Sequence, residues 1–167
     1  MRANFRDRPP ANAAAYGMEY NPDGNFSQYV CRFQTELDGK MLVLQGKAVF
    51  GYSCYAILPA GVRTVARLET SDDFEVLASS ESCAHMVPFR ADQSNGSWLP
   101  TGSDVNGNAT YTCHALVSSL EGGSQATSMP LGRYEPETKR CVFEWYTQVR
   151  AAPEPDSHES FEMLAVP

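Results

Sequence analysis

The sequence predicts an all-β protein: two pseudo-symmetric antiparallel β-rich repeats packed into one compact barrel- or sandwich-like body. Three observations predict it. The chain carries one unit of roughly 80 residues twice, in diverged form. Its apolar segments are short and bounded by Gly, Pro, Asn and Asp, as strands are. No apolar stretch keeps helical spacing for more than two turns. One such unit cannot bury its apolar face alone, so two copies are expected to pack about a pseudo-twofold axis.

The repeat rests on order, residue type and spacing. Tyr29-Val30-Cys31-Arg32 matches Tyr111-Thr112-Cys113-His114, 82 residues on. Gly46-Lys47 matches Gly132-Arg133 at a separation of 86, and Cys54 matches Cys141 at 87. Phe74-Glu75-Val76-Leu77-Ala78 matches Phe161-Glu162-Met163-Leu164-Ala165, again at 87. Ahead of these, Asn21-Pro22-Asp23-Gly24-Asn25 matches Asp104-Val105-Asn106-Gly107-Asn108, with one extra residue before the tyrosine of the first copy. The drift in spacing predicts a longer connection in the second copy, placed at Leu120 to Gln125. The copies are assigned to residues 1–80 and 81–167.

Strands are expected over 28–34, 41–45, 47–56, 63–69 and 73–78, then over 109–117, 131–134, 139–149 and 160–166. Asp-Gly and Asn-Gly pairs at 23–24, 38–39, 95–96 and 106–107 predict hairpin turns. Ala11 to Tyr16 is read as a helical turn between Pro10 and Gly17.

Composition narrows the function classes. Among 167 residues, 43% are apolar and 20% charged, enough for a core and too few charges for a disordered chain. The net charge of −7 gives no phosphate neutralisation, so nucleic acid is not an expected partner. It equally disfavours an anionic membrane surface, and no segment approaches the apolar length of a membrane span. The opening MRANFRDRPPANAAAYG has no apolar stretch of signal-peptide length. With Met1 as the natural start, the protein is expected in the cytoplasm, with release by a signal-independent route left open.

The five cysteines (Cys31, Cys54, Cys83, Cys113, Cys141) are odd in number and lack the close pairing of zinc ligands, so buried free thiols are expected. The sequons at Asn25, Asn95 and Asn108 are read as unmodified. Neither a metal nor a cofactor is expected. Asp104 and Asn106 before Gly107 suggest the start of a calcium loop, but the spacing is wrong and no closing glutamate follows, which favours an Asx-stabilised turn. Cys113 beside His114 is no nucleophile pair, because strand neighbours point to opposite faces. Glu135, Glu137, Glu154, Asp156 and Glu159 read as a solvated acidic face; a hydrolytic carboxylate pair is defined in space rather than by spacing.

Taken together these motifs resemble the DM-nine repeat family, over nearly the whole chain and in two units. The second copy gives Asp104-Val105-Asn106-Gly107 with Tyr111, then Gly132-Arg133, Cys141 and Phe161-Glu162-Met163-Leu164. The first gives Asp23-Gly24, Tyr29, Gly46-Lys47, Cys54-Tyr55 and Phe74-Glu75-Val76-Leu77. The resemblance implies a non-catalytic lectin for mannose-type glycans on microbial or cell surfaces, able to self-associate as a homodimer. It implies that an aspartate of the turn and the lysine of the Gly-Lys step contact the sugar. Here the second copy keeps Asp104 but carries Arg133, and the first keeps Lys47 but carries Asn21, with Asp23 nearby. Those five residues are the candidate ligand contacts, and Lys47 with Asp104 would be a site shared between copies. A carboxylate and a cation suit a vicinal diol through charge-assisted hydrogen bonds. Trp98, Trp145 and Tyr146 are core residues or aromatic platforms. The alternatives are an interaction module without sugar binding and, more remotely, a glycan hydrolase.

Overall fold

The computed structural model describes residues 10–21, 24–49, 53–58, 67–70, 74–78, 83–92, 95–121, 124–145, 148–153 and 159–167. The first copy supplies β1 (Ala15–Asn21), β2 (Gly24–Leu37), β3 (Lys40–Val49), β4 (Cys54–Ile57), β5 (Arg67–Thr70) and β6 (Glu75–Val76). The second supplies β7 (His85–Pro88), β8 (Pro100–Ser103), β9 (Ala109–Glu121), β10 (Ser124–Ser128), β11 (Leu131–Glu135), β12 (Arg140–Trp145), β13 (Gln148–Ala152) and β14 (Ser160–Ala165). Among the described residues the one helical element is a 3-10 turn, Asn95–Ser97.

Each copy builds one antiparallel sheet. The order is β1-β2-β3-β4-β5 with β6 also on β2, and β13-β12-β11-β9-β14-β7 with β8 and β10 also on β9. Neither sheet closes on itself among these strands, so the body is sandwich-like rather than a barrel. β2 shows why the sequence makes strands: Cys31 and Phe33 face inward while Arg32 and Gln34 face out. Its hairpin turns at Asp38-Gly39, both with positive φ (52° and 74°), the geometry this pair favours.

The pseudo-symmetry is a matter of register. Cys31 lies opposite Gly46 and Val76, and Cys113 lies opposite Gly132 and Met163. Lys47 lies opposite Tyr55, and Arg133 opposite Val142. Gly17 pairs with Gln28 beyond a bulge, and Gly102 pairs with Thr110 beyond the equivalent bulge. Arg32 bonds Glu75 at 2.7 Å, and the matching positions hold His114 and Glu162, also at 2.7 Å. The other ring nitrogen of His114 lies 2.7 Å from the Tyr16 carbonyl of the first copy.

The two copies grip each other through the equivalent strands β1 and β8, β1 against the segment before β11 and β8 against β3. Met18 and Met129 exchange backbone hydrogen bonds of 3.0 and 2.7 Å. A Cβ on Gly17 would meet Leu131 and the Met129 carbonyl; one on Gly102 would meet the Val43 carbonyl and Gln45. The positions are equivalent, but what fills them differs. Val30, Leu131 and Leu164 form an apolar cluster at one side. At the other, buried Gln45 takes Thr101 and Thr110 hydroxyls at 2.9 and 2.6 Å.

Several expectations are corrected. The segment 41–45 and the start of 47–56 merge into β3, and β4 begins only at Cys54. The segment 139–149 divides into β12 and β13. Ala11 to Tyr16 is a turn leading into β1, not a helical turn. Asn95-Gly96 starts the 3-10 turn rather than a hairpin. The longer connection does fall at 120–125, where it extends the β9–β10 hairpin.

The free thiols are the largest correction. Cys31 bonds Cys54, and Cys113 bonds Cys141, at equivalent places in the two copies; Cys83 alone is free, and it is exposed. Each bond joins the two strands that flank β3 or β11, with Cα atoms 6.0 Å apart. In a flat sheet such strands stand roughly 9.5 Å apart. The middle glycine explains the shortfall. A Cβ on Gly46 would collide with the Tyr55 carbonyl, and one on Gly132 with the Val142 carbonyl. Without side chains there, β4 and β12 fold in tightly enough for the sulfurs to meet.

Two outcomes follow. Thiol titration of the native protein finds one reactive group, Cys83, and five after unfolding and reduction; more than one in the native state refutes the pairing. Gly46→Ala or Gly132→Ala each destabilises the fold by about 3 kcal/mol in urea unfolding, as overpacking against backbone does.

Candidate functional site

Side chains alternate along a strand, so the residue after each middle glycine faces away from the disulfide. Those residues are Lys47 and Arg133, and both point to the seam between the copies. They line one small buried gap together with Gln45, Leu131 and Glu144.

Arg133 is 7% exposed. Its Nη2 donates to the Leu58 carbonyl of the first copy at 3.3 Å and to Glu135 Oε1 at 3.4 Å. Its Nε is buried without a hydrogen-bond partner among the described residues. Burial pulls the guanidinium pKa below its ordinary value, and the Glu135 carboxylate opposes that pull. An arginine left with an idle buried donor is a strong acceptor-seeking group.

The same arginine lines an open cleft of about 390 Å³. Its walls are the loop 104–108, the start of β9 through Tyr111, and the β11–β12 turn through Glu137. Tyr134 sits in its floor, and burial pushes that hydroxyl's pKa up. The size falls in the roughly 300–1,000 Å³ range of small-molecule sites. A second hollow of about 190 Å³, with mixed polar and apolar walls, lies between β2 and β8, with Arg32 and Glu75 on its lining.

Asp104 opens the loop and holds it. Its Oδ1 accepts from the backbone N–H of Asn106 at 2.8 Å and of Asn108 at 2.9 Å. Its Oδ2 accepts from Asn108 Nδ2 at 3.0 Å. Slight burial works to raise its pKa, but the donors from Asn108, Asn106 and Gly107 outweigh it and lower the carboxyl below 3.8. This is the Asx-stabilised turn, completed by Gly107 at positive φ (81°).

Lys47 has a different set of neighbours. Its Nζ donates to the Glu144 carbonyl of the second copy at 3.2 Å and lies 3.6 Å from Glu19 Oε2. The same Glu19 oxygen accepts from Gln28 Nε2 at 2.8 Å, and Gln28 Oε1 accepts from Leu131 N–H. Gln28 is fully buried.

Of the sequence candidates, Asp104 and Arg133 thus share the cleft, while Lys47 meets Arg133 only across the buried gap. Asn21 ends β1, paired with Gly24; Asp23 lies outside the described residues. Trp98 is 4% exposed and packs in an aromatic cluster with Phe89, Tyr111 and Tyr134. Trp145 is half-buried against the Phe143 cluster, and Tyr146 lies outside the described residues. Among the described residues no group of three His, Cys, Asp or Glu is placed to hold a metal ion.

Sequence reasoning missed Glu19. Matching the turns by their asparagines puts Asn21 beside Asp104, with one extra residue in the first copy. The register puts Glu19 there instead, because Met18 pairs with Ser27 as Ser103 pairs with Ala109. Beyond those equivalent pairs the first copy's hairpin has three residues more, 19–26 against 104–108, and it stays paired as far as Asn21 and Gly24. Asn108, Tyr111 and Glu135 were also missed as cleft residues, since only the fold brings the two hairpins together.

The chain matches no protein-family model, no curated protein and no solved structure.

The lowered Asp104 pKa gives a sign to pH dependence. A depressed carboxyl contributes stability above its unfolded value and loses it as pH falls through the folded value. Protection of the Asn106 and Asn108 amides, relative to an unstructured peptide at the same pH, is expected to hold above pH 3.8 and to be lost as pH falls further through the lowered value. In Asp104→Asn that protection is reduced at every pH; unchanged protection would refute the role of the carboxylate.

Proposed function

We propose that the protein is a non-catalytic carbohydrate-binding protein, and that its site is the cleft between the loop 104–108 and the turn after β11. The observation that carries this reading is Arg133: a buried guanidinium whose Nε has no partner among the described residues, lining an open cleft whose walls mix amides, carboxylates and tyrosines with Val105, Ala109 and Pro136. Sugar hydroxyls both donate and accept. Arg133 offers the donor; Asn106, Asn108 and Thr110 offer both; Tyr111 offers a partly apolar wall. Mannose-type glycans are the first ligands to try, on the resemblance to DM-nine lectins.

Two further points support the reading against a hydrolase. A glycosidase acid must hold a proton near neutral pH. Asp104 is shifted the other way. The two disulfides fit an oxidising compartment better than the cytoplasm, which suits a protein that meets glycans outside the cell. Among the described residues no helix is long and apolar enough to cross a membrane.

One observation favours a different reading, a protein-interaction module. Both Asp104 oxygens are already spent on the loop, so the carboxylate is less free to grip a diol.

A glycan array with purified oxidised protein separates the two. The carbohydrate reading expects selective binding to one sugar class, with at least a tenfold loss in Arg133→Ala. Folded protein that binds no glycan on the array would shift the weight to the interaction module.

A further inference from the structure

The two copies hold equivalent acid–base pairs in opposite states. By register Glu19 stands where Asp104 stands, Lys47 where Arg133 stands, Gln28 where Thr110 stands. In the first copy the acid reaches its cation. Glu19 and Lys47 are 3.6 Å apart, with side chains 16% and 11% exposed. Gln28 ties Glu19 to the Leu131 N–H, and Lys47 ties it to the Glu144 carbonyl, so the network ends on the second copy at both sides. Every donor and acceptor named in it is turned inward. In the second copy the acid is bound to its own loop, and the cation, whose buried Nε has no partner among the described residues, belongs to a side chain that lines an open cleft.

We propose that the first copy's acid–base pair is an internal clamp between the repeats rather than a second ligand site, so that each chain carries one site, at Arg133. The extent of strand pairing divides the roles. In the first copy the pairing continues to Asn21 and Gly24, which keeps Glu19 within the strand, paired with Phe26 and facing the seam, as Gly17 two residues earlier does. In the second copy the pairing stops at Ser103 and Ala109, so Asp104 folds into the loop 104–108 and bonds there rather than to Arg133. A partly buried pair resists competition by a sugar, because any hydroxyl must replace a charged partner already desolvated. A consequence is that avidity for multivalent glycans has to come from association of chains rather than from the two repeats of one chain.

The clamp is independent of any ligand; the single-site half rests on the carbohydrate reading. Wild-type protein is titrated with methyl α-mannopyranoside and followed by amide and arginine Nε–H NMR. Shifts are expected at Arg133 Nε–H and along 104–111 and 131–137, with none at 17–20, 28 or 45–48. Comparable shifts in both sets would overturn the single-site half. Titration without any shift would overturn it too, together with mannose as the ligand. In parallel, Glu19→Gln and Lys47→Met are each expected to lower Tm by about 5 °C. Should Lys47→Met not fold, Glu19→Gln carries the test alone, since it keeps size and hydrogen bonding and removes only the charge. An unchanged Tm in Glu19→Gln would overturn the clamp whatever the sugar does.

Discussion

The close approach of three strands at Gly46, repeated at Gly132, is the constraint on which the rest of the molecule depends. A missing Cβ lets the outer strand fold over the middle one until the flanking Cα atoms stand 6.0 Å apart. The disulfide then locks that fold, contributing about 3 kcal/mol in each copy by restricting the unfolded chain. Because strand side chains alternate, the same step sends the next residue to the opposite face. That residue is a cation in both copies, and the opposite face is the seam. One local steric fact thereby fixes the core crosslink and aims Lys47 and Arg133 at each other's repeat.

A seam lined with polar groups demands that each one be satisfied. The two sides of the pseudo-twofold meet that demand unequally. Val30, Leu131 and Leu164 make one side apolar. The other is a network of Gln45, Thr101, Thr110 and Thr112, in which Gln45 Nε2 also donates to the Tyr111 carbonyl at 2.5 Å. Leu131 and Gln45 occupy equivalent positions, and Val30 and Thr112 likewise, so differences at these matched positions separate a greasy contact from a hydrogen-bonded one. Among the described residues, Trp98 Nε1 and Arg133 Nε are buried without a hydrogen-bond partner. Trp98 sits within an aromatic core, whereas Arg133 lines a cleft.

The repeat was legible because register follows residue type. Tyr, Cys, Gly and the Phe-Glu element sit at matched ladder positions, so sequence spacing maps directly onto pairing. The disulfides were not legible. Cysteines 23 and 28 residues apart, in an odd set of five, name no partners; only the fold over the glycine brings them together. β1 was missed because Ala15-Tyr16-Gly17 lacks the alternation of a half-buried strand. It is an inter-repeat strand that runs against β2 on one side and meets Met129 on the other. Asp104 and Arg133 were readable as candidates, whereas Glu19 was hidden by an asparagine-rich turn that aligns well and superposes badly.

The extent of hairpin pairing is where the two repeats part in consequence. Changing a cation from lysine to arginine alters its reach and geometry but keeps the charge. The extent of the pairing decides whether the neighbouring carboxylate stays on the strand or enters the turn. On the strand it is delivered to the seam, where Lys47 and Gln28 claim it. In the turn it finds three donors within its own loop, each closer than any group across the cleft needs to be. The cost falls on the open copy: among the described residues Arg133 keeps a buried donor without a partner, and an unsatisfied donor of about 1–3 kcal/mol is a cost that a domain of this size can carry.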